Sequence, residues 1–429
     1  MLRRSFLVSC LLSAGALAAC AGVLGNSTAA DDDVLSDAST GGDGGPSTGD
    51  SSTPGEDGSP EAGPDAADDA PNDAANDAAD DADACTSLQS DSNCGRCGND
   101  CGTAATCEQG KCRFAVAGTT CPAWGLAYGV TTESIYWTEM CAGSGAIRRC
   151  PMASGCPTLP GALYTGGNDS LPCGVVAANG SDGKEYFFNT DNQGPNNNRL
   201  WRTLFDGNGR TDWGGTNAGG PGAIVTNGTN IWWGTSGVVY RSAVSTTGST
   251  PVLNANPSPT TSSAPQSVAL DAVNVYAARQ AMLGEADGVV ACPIAGDCTT
   301  TGEIQIFTGG NASAIVSDGV NVFVSQRANG VDNVYRCSVA VGCDAGAAPI
   351  WTANVAVNPA RPIPLALDGN NVYINSRSGD LLACPKNAAT CATPKLLHPN
   401  VNAGSMLVRD GYLYWTESNG LPGVYRTKP

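Results

Sequence analysis

The chain has 429 residues, a formal net charge of −18, only 14% charged residues, 19 cysteines and a single histidine, His398. An acidic chain repels the phosphate backbone, which argues against a nucleic-acid partner, and one histidine excludes a multi-histidine metal site. So many cysteines do not fit a reducing cytosol.

Residues 1–19 read as a secretory signal. Arg3 and Arg4 precede an apolar run from Phe6 to Ala19 that is too short to span a bilayer. The run ends Leu17-Ala18-Ala19-Cys20, which resembles the lipobox of bacterial lipoproteins. That resemblance implies cleavage before Cys20, diacylation of its thiol and a lipid anchor in the membrane. Ala21 in place of an aspartate points to the outer membrane of a Gram-negative bacterium. Several acyl chains at one end give stable anchoring.

Residues 20–84 follow as the lipidated cysteine and a linker. Asp31 to Ala84 contain 17 Asp and Glu and no Lys or Arg, whereas residues 85–429 hold 23 acidic and 20 basic side chains. Nearly all the net charge therefore lies in a segment of Asp, Ala, Gly, Ser, Pro and Thr with Val34 and Leu35 as its only large apolar side chains. Such a segment buries too little apolar surface to offset the entropy of ordering, and is expected to be disordered. As a flexible coil, 21–84 spans roughly 45 Å, and self-repulsion extends it.

Residues 85–112 carry Cys85, Cys94, Cys97, Cys101, Cys107 and Cys112. The module is too small for a hydrophobic core, so cross-links must hold it. Cys94-Gly-Arg-Cys97 has zinc-ligand spacing, but an even count in an exported chain favours three disulfides of unspecified connectivity. The run "DSNCGRCGNDC" with its later "GKC" resembles the Stig1-type cysteine-rich motif, with Cys107 where that family has an adjacent pair.

Residues 113–429 repeat. Alternating apolar strands flank Asn/Asp/Gly-rich turns seven times, with aromatic anchors at Tyr136, Phe187, Trp232, Tyr276, Phe323, Tyr373 and Tyr414. These are hairpin signals. A third strand follows each pair, and each repeat has room for a fourth. Four-stranded units at a period near 45 are propeller blades. The expected fold is all-β: a seven-bladed β-propeller, with six or eight blades as alternatives. The last repeat lacks a fourth strand, and Arg113–Gly118 is the spare that completes it. Tyr136-Trp137-Thr138-Glu139 and Tyr414-Trp415-Thr416-Glu417 resemble the YWTD propeller repeat, which implies an architectural role.

Third strands end in Cys150, Cys292, Cys337 and Cys384, and a second cysteine follows soon after each, at Cys156, Cys298, Cys343 and Cys391. The three repeats lacking the first also lack the second, as intrablade disulfides predict. Arg149, Arg202, Arg241, Arg336 and Arg426 precede that position and read as an outward face paired with neighbours. Cys121, Cys141 and Cys173 remain, with Cys141–Cys173 the expected pair and one thiol left over.

Asp318, Asp368 and Asp410 read as turn residues of type I′ geometry, and His398 as a surface or packed side chain. No phosphate-binding glycine loop, nucleophile elbow or calcium loop is present, so no catalytic residue, metal or cofactor is assigned. Loops between second and third strands vary most. They supply the ligand-contact candidates Asp191, Asn192, Arg279, Glu285, Arg327 and Arg377, with Glu139 and Glu417 beside them. The chain is thus read as an exported, lipid-anchored envelope protein that presents a propeller to a protein or glycan. The alternatives are a propeller enzyme, a lactonase-like hydrolase or polysaccharide lyase, and a structural envelope protein. Asp, Glu and Asn clustered on the inward side of the first strands at the channel mouth would favour the enzyme, and an apolar or Gly-lined channel the binder.

Overall fold

The computed structural model describes Ser90, Cys94 and residues 99–429 apart from 119–120, 142–143, 166–170, 193–198, 216–222, 236–237, 247–249, 255–266, 280–287, 300–301, 310–311, 329, 345, 355–362 and 418–420. The signal 1–19, Cys20, the linker 20–84, Cys85, Cys97 and Glu285 lie outside the described residues, as do the side chains of Asp191, Asn192 and Arg279.

The described residues are all-β and build a seven-bladed propeller behind a disulfide-rich segment. β1 (Thr106–Glu108) and β2 (Lys111–Val116) form a first hairpin. Blade 1 is β3 (Ala123–Gly129), β4 (Ser134–Cys141), β5 (Ser144–Pro151) and β6 (Ala162–Thr165). Blade 2 is β7 (Leu171–Asn179), β8 (Glu185–Asn192), β9 (Arg199–Leu204) and β10 (Thr211–Gly215). Blade 3 is β11 (Ile224–Thr226), β12 (Asn230–Thr235), β13 (Val238–Ala243) and β14 (Thr250–Asn254). Blade 4 is β15 (Val268–Leu270), β16 (Asn274–Arg279), β17 (Gly288–Pro293) and β18 (Ile304–Thr308). Blade 5 is β19 (Ala312–Ser317), β20 (Asn321–Ala328), β21 (Val331–Ser338) and β23 (Trp351–Asn354), with the two-residue β22 (Cys343–Asp344) between the last two. Blade 6 is β24 (Leu365–Leu367), β25 (Asn371–Asn375), β26 (Leu381–Pro385) and β27 (Lys395–His398). Blade 7 starts with β28 (Ala403–Arg409), β29 (Tyr412–Glu417) and β30 (Gly423–Thr427).

Blade 7 takes its fourth strand from before blade 1. β2 pairs antiparallel with β30, Cys112 opposite Arg426 and Val116 opposite Gly423. First strands touch in a closed cycle, β3 to β7, β11, β15, β19, β24, β28 and back to β3, so they form the middle of a closed ring.

The alternation of each second strand fills the gaps between blades. Tyr276 packs toward blade 5 with Ile315 and Val322, while its neighbours Val275 and Ala277 pack toward blade 3 with Trp232 and Val239. The same pattern places Tyr136, Trp232, Phe323, Tyr373 and Tyr414 on the face toward the next blade. In blade 2 it corrects the anchor. Phe187 packs back on Ala127 and Tyr136 of blade 1, and Phe188 packs forward with Trp213, Ile231 and Trp233. Phe188 is therefore the equivalent residue, and Phe188-Asn189-Thr190-Asp191 occupies the Tyr-Trp-Thr-Glu positions. The longer blade 2 turn, from Asn179 to Glu185, shifts the register by one, and a one-residue shift exchanges the two faces of a strand.

The turn chemistry is also more varied than type I′. Of the three Asp turns, only Asp410–Gly411 has both φ angles positive, 50° and 72°. At Asp318 and Asp368 the side chain closes the turn instead. Asp318 Oδ1 accepts the N–H groups of Val320 and Asn321, and Asp368 Oδ1 those of Asn370 and Asn371. Asp271 and Asn227 do the same in blades 4 and 3, an Asx-type closure in which Gly319 and Gly228 still take positive φ, 82° and 84°.

Candidate functional site

The YWTE strings act inside the blades. Thr138 Oγ1 accepts the N–H of Gly125 at 2.8 Å, and Thr416 Oγ1 accepts that of Ser405 at 3.0 Å. Both donors lie where the first strand bulges, between Ala123 and Leu126 or Ala403 and Met406. Each bulge frees a backbone group from the ladder, and the hydroxyl satisfies it. Thr190 does this for Gly174 in blade 2, and Ser325 for Ala314 in blade 5. The hydroxyls of Ser325 and Thr416 then donate to Ile363 and Trp124 of the following blade at 3.1 and 2.7 Å.

Glu139 and Glu417, taken from sequence as ligand contacts, are buried at 0% and 2% exposure. Trp137 Nε1 and the Gly118 N–H both donate to Glu139 Oε1, and Arg148 Nε stands 2.8 Å from Oε2. Glu417 repeats the arrangement with Trp415 Nε1, the Asn402 N–H and Lys111 Nζ, the last at 2.9 Å. Each carboxylate is matched by one cation and by backbone or indole donors, so burial is compensated. These two residues are corrected to buried internal braces beside Arg148 and Lys111.

Asn189 holds the equivalent of the Trp137 position. It is fully buried, and among the described residues neither its amide nitrogen nor its oxygen has a hydrogen-bond partner.

The third ionic group at this end of the blades joins two contact candidates. Arg327 is next to last in the second strand of blade 5 and lies across from Asp332 on the third. Arg377 comes from the β25–β26 loop of blade 6, and its Nε is 3.4 Å from Asp332 Oδ1. The Asp332 side chain is fully buried, and that of Arg377 is 5% exposed. Burial pushes the Asp332 carboxyl above the usual carboxylate range although Arg377 and Arg327 pull it down. Burial likewise pushes the Arg377 guanidinium below its ordinary value, with Asp332 opposing and Arg327 reinforcing the shift. Asp332 was not a sequence candidate. The available signal was that Arg327 and Arg377 both stand four residues past the aromatic anchors of their blades, Phe323 and Tyr373.

Among the described residues the disulfide pairs are Cys94–Cys107, Cys101–Cys112, Cys150–Cys156, Cys292–Cys298, Cys337–Cys343 and Cys384–Cys391. The second cysteine of each blade pair reaches the preceding blade. The Cys156 N–H donates to Phe114 O, and that of Cys298 to Val252 O. Cys343 pairs with Phe307 of β18, and Cys391 donates to Ile350 O. Cys121 is itself disulfide-bonded, which corrects its reading as the leftover thiol of a Cys141–Cys173 pair. The repeated arginines point the other way. Arg149, Arg241 and Arg336 donate to Phe205, Ile294 and Lys386 carbonyls of the next blade, and Arg426 to Cys101 O of the disulfide segment. His398 is packed, its ring nitrogens against the carbonyls of Pro399 and Gly110.

No family model matches this chain, and no curated protein matches it. Among solved structures it is similar to a chain of a nidogen/laminin complex, at 18% identity over 50% of this chain and 75% of that one, with a TM-score of 0.37. It is also similar to a chain of a mitotic checkpoint complex, at 10% identity over 74% of this chain and 90% of that one, with a TM-score of 0.49. At this level neither carries an argument about activity or partners. The fold rests on the chain's own strand order, and the disulfides fit an oxidising compartment outside the cytosol.

Proposed function

We propose that this protein is an exported, lipid-anchored envelope protein that presents its propeller as a binding module, with the ends of the second and third strands as the display face. One observation carries the choice of binder over enzyme. The seven first strands that form the middle of the ring contain no Asp, Glu or His, so they bring no carboxylate or imidazole to the place where a propeller enzyme would gather its acids and bases. The ionic side chains lie instead at the far ends of the second strands. Connections there run from 142–143 in blade 1 to 280–287 in blade 4, variation that suits recognition on a rigid scaffold.

In this reading residues 1–19 direct export, Cys20 carries the lipid, 20–84 is the tether, 85–112 is a stapled knob and 113–429 is the propeller. The anchor test is Cys20→Ser, expected to release the protein from membranes; unchanged membrane pelleting and acyl labelling would refute the anchor. The binding test is crosslinking capture with the full chain on its native envelope, repeated with Arg327→Glu. A partner held by the wild type and lost by the folded variant supports the display face. Failure to capture anything, together with turnover in a glycan or lactone screen, would reverse the choice in favour of an enzyme.

A further inference from the structure

The two disulfides before the ring lie against each other. The sulfurs of Cys94, Cys101 and Cys112 are all within 4.8 Å of one another, although Cys94 is bonded to Cys107 and Cys101 to Cys112. Cys107 in turn stands directly opposite Cys112 across the β1–β2 hairpin. Opposed residues of an antiparallel pair have Cα atoms about 4.5–5.5 Å apart, inside the span that a disulfide accepts. The same four cysteines can therefore pair in two ways, Cys94–Cys107 with Cys101–Cys112 or Cys94–Cys101 with Cys107–Cys112. Among the described residues no other three cysteines gather in this way, so the blade disulfides have no such choice.

Exposure selects the point of attack. Cys94, Cys101 and Cys112 are 0% exposed, and Cys107 is only partly buried. A thiolate from outside meets Cys107 first, because exchange needs access to the sulfur.

We propose that this cluster is a disulfide-exchange site, opened at Cys107 by a small monothiol, that moves the covalent tie of the ring closure. The thiolate attacks the Cys107 sulfur, forms a mixed disulfide and expels Cys94 as a thiolate. Cys94 attacks the Cys101 sulfur, and the Cys101–Cys112 bond breaks with its electron pair on Cys112. Cys112 attacks Cys107 and expels the incoming thiolate. Each step forms one S–S bond and breaks one, so nothing is oxidised or reduced overall and the thiol is returned. A trace of thiol suffices, and an oxidising compartment does not prevent the exchange.

The swap changes what is tied to what. In the described pairing both bonds join the β1–β2 hairpin to Cys94 and Cys101. The Cys101 carbonyl holds Arg426, and the side chain of nearby Asn99 holds Thr427, both on the last strand. After exchange the hairpin is closed on itself and Cys94 on Cys101. β2 keeps its ladder with β30 but loses its staple to Cys101.

The test treats the full chain, free of oxygen, with reduced glutathione, blocks thiols at intervals with N-ethylmaleimide and maps every disulfide without reduction. The glutathione adduct is expected first at Cys107. Loss of the two original links should follow, with an equal rise of Cys94–Cys101 and Cys107–Cys112 and faster amide exchange in β2. A variant needs no added thiol. Cys107→Ser frees Cys94 in place, and the blocked thiol should then be found on Cys112 as well as on Cys94. Cys298→Ser, with no neighbouring disulfide, should keep its thiol on Cys292. An adduct at the blade disulfides ahead of Cys107, original links that persist once Cys107 carries the adduct, or a Cys107→Ser thiol confined to Cys94 overturns the proposal. Amide exchange in β2 that stays unchanged after the swap overturns its effect on the ring.

Discussion

Cys112, on the strand that closes the ring, lies directly opposite Arg426 on the last strand of the chain. Cys112 is tied to Cys101 by a disulfide, and the Arg426 guanidinium donates to the carbonyl of that same Cys101. The guanidinium is also stacked against Tyr412, 4.4 Å from the ring centroid. Closure thus combines a ladder, a covalent staple and a buried cation on one small segment, and the disulfide-rich region is part of the lock.

Removing the staple should loosen blade 7 before the others. Cys101→Ser with Cys112→Ser is expected to cost about 3 kcal/mol, from the loop it no longer closes. Amide exchange should then rise in β2 ahead of the rest of the propeller. β2 amides that stay with the slowest-exchanging set would count against this role.

The Thr416 hydroxyl joins blade 7 to blade 1. Thr416→Val keeps the shape and leaves the Ser405 N–H and Trp124 carbonyl without that partner. The expected loss is about 1–3 kcal/mol in urea denaturation. A change within a few tenths would show that the hydroxyl does not hold the blades.

Asn189 stands where blades 1, 3 and 7 have tryptophan, buried with no partner for its amide among the described residues. Asn189→Leu exchanges an unsatisfied polar group for an apolar one of similar size, and should raise stability by about 1 kcal/mol or more. A lower melting temperature would contradict this.

Burial pushes the Asp318 carboxyl up, but the Asn321 and Val320 N–H groups and the Lys386 ammonium outweigh it and hold it below the usual range. A carboxyl lowered on folding adds stability above its unfolded pKa of about 3.9, and that stability is lost as pH falls through the folded value. Asp318→Asn should therefore be less stable than wild type near neutral pH and indistinguishable from it at about pH 2. A deficit that persists in acid would mean that the charge is not the cause.

The blade disulfides close short loops, so each contributes about 2 kcal/mol by loop closure. Their placement adds a local effect. Cys292→Ala with Cys298→Ala should speed amide exchange at Cys298 and its neighbours, where the chain hooks onto Val252 of blade 3. Uniform acceleration across the molecule would point to a global effect only.

The blades were readable because strand alternation and turn residues recur in each one, and the closing strand was readable because the last repeat is one strand short. The misplaced anchor at Phe187 shows the limit. Alternation gives the two faces of a strand, but a longer turn decides which face meets which blade. The roles of Glu139 and Glu417 were hidden for a similar reason. Their cations, Arg148 and Lys111, sit on other strands, and only pairing reveals that the carboxylates are taken. Arg327 and Arg377 were visible as loop cations. Asp332 was not, because "Val-Asp-Asn" reads as an ordinary strand start and its burial comes from the neighbouring blade.

The pairing of β2 with β30 also sets the order in which the molecule must fold. The two strands are separated by the entire propeller, so bringing them together carries the loop-closure entropy of nearly the whole domain. Blades 1 to 6 each pair from adjacent segments and need no such search. The ring is therefore expected to close last, after Thr427 has been delivered, and the exposed edges of β30 and β2 are the pairing hazard until it does. The Cys101–Cys112 link joins residues close in sequence. It can form early and hold β2 in an extended hairpin, ready for its partner, while the rest of the chain is still arriving.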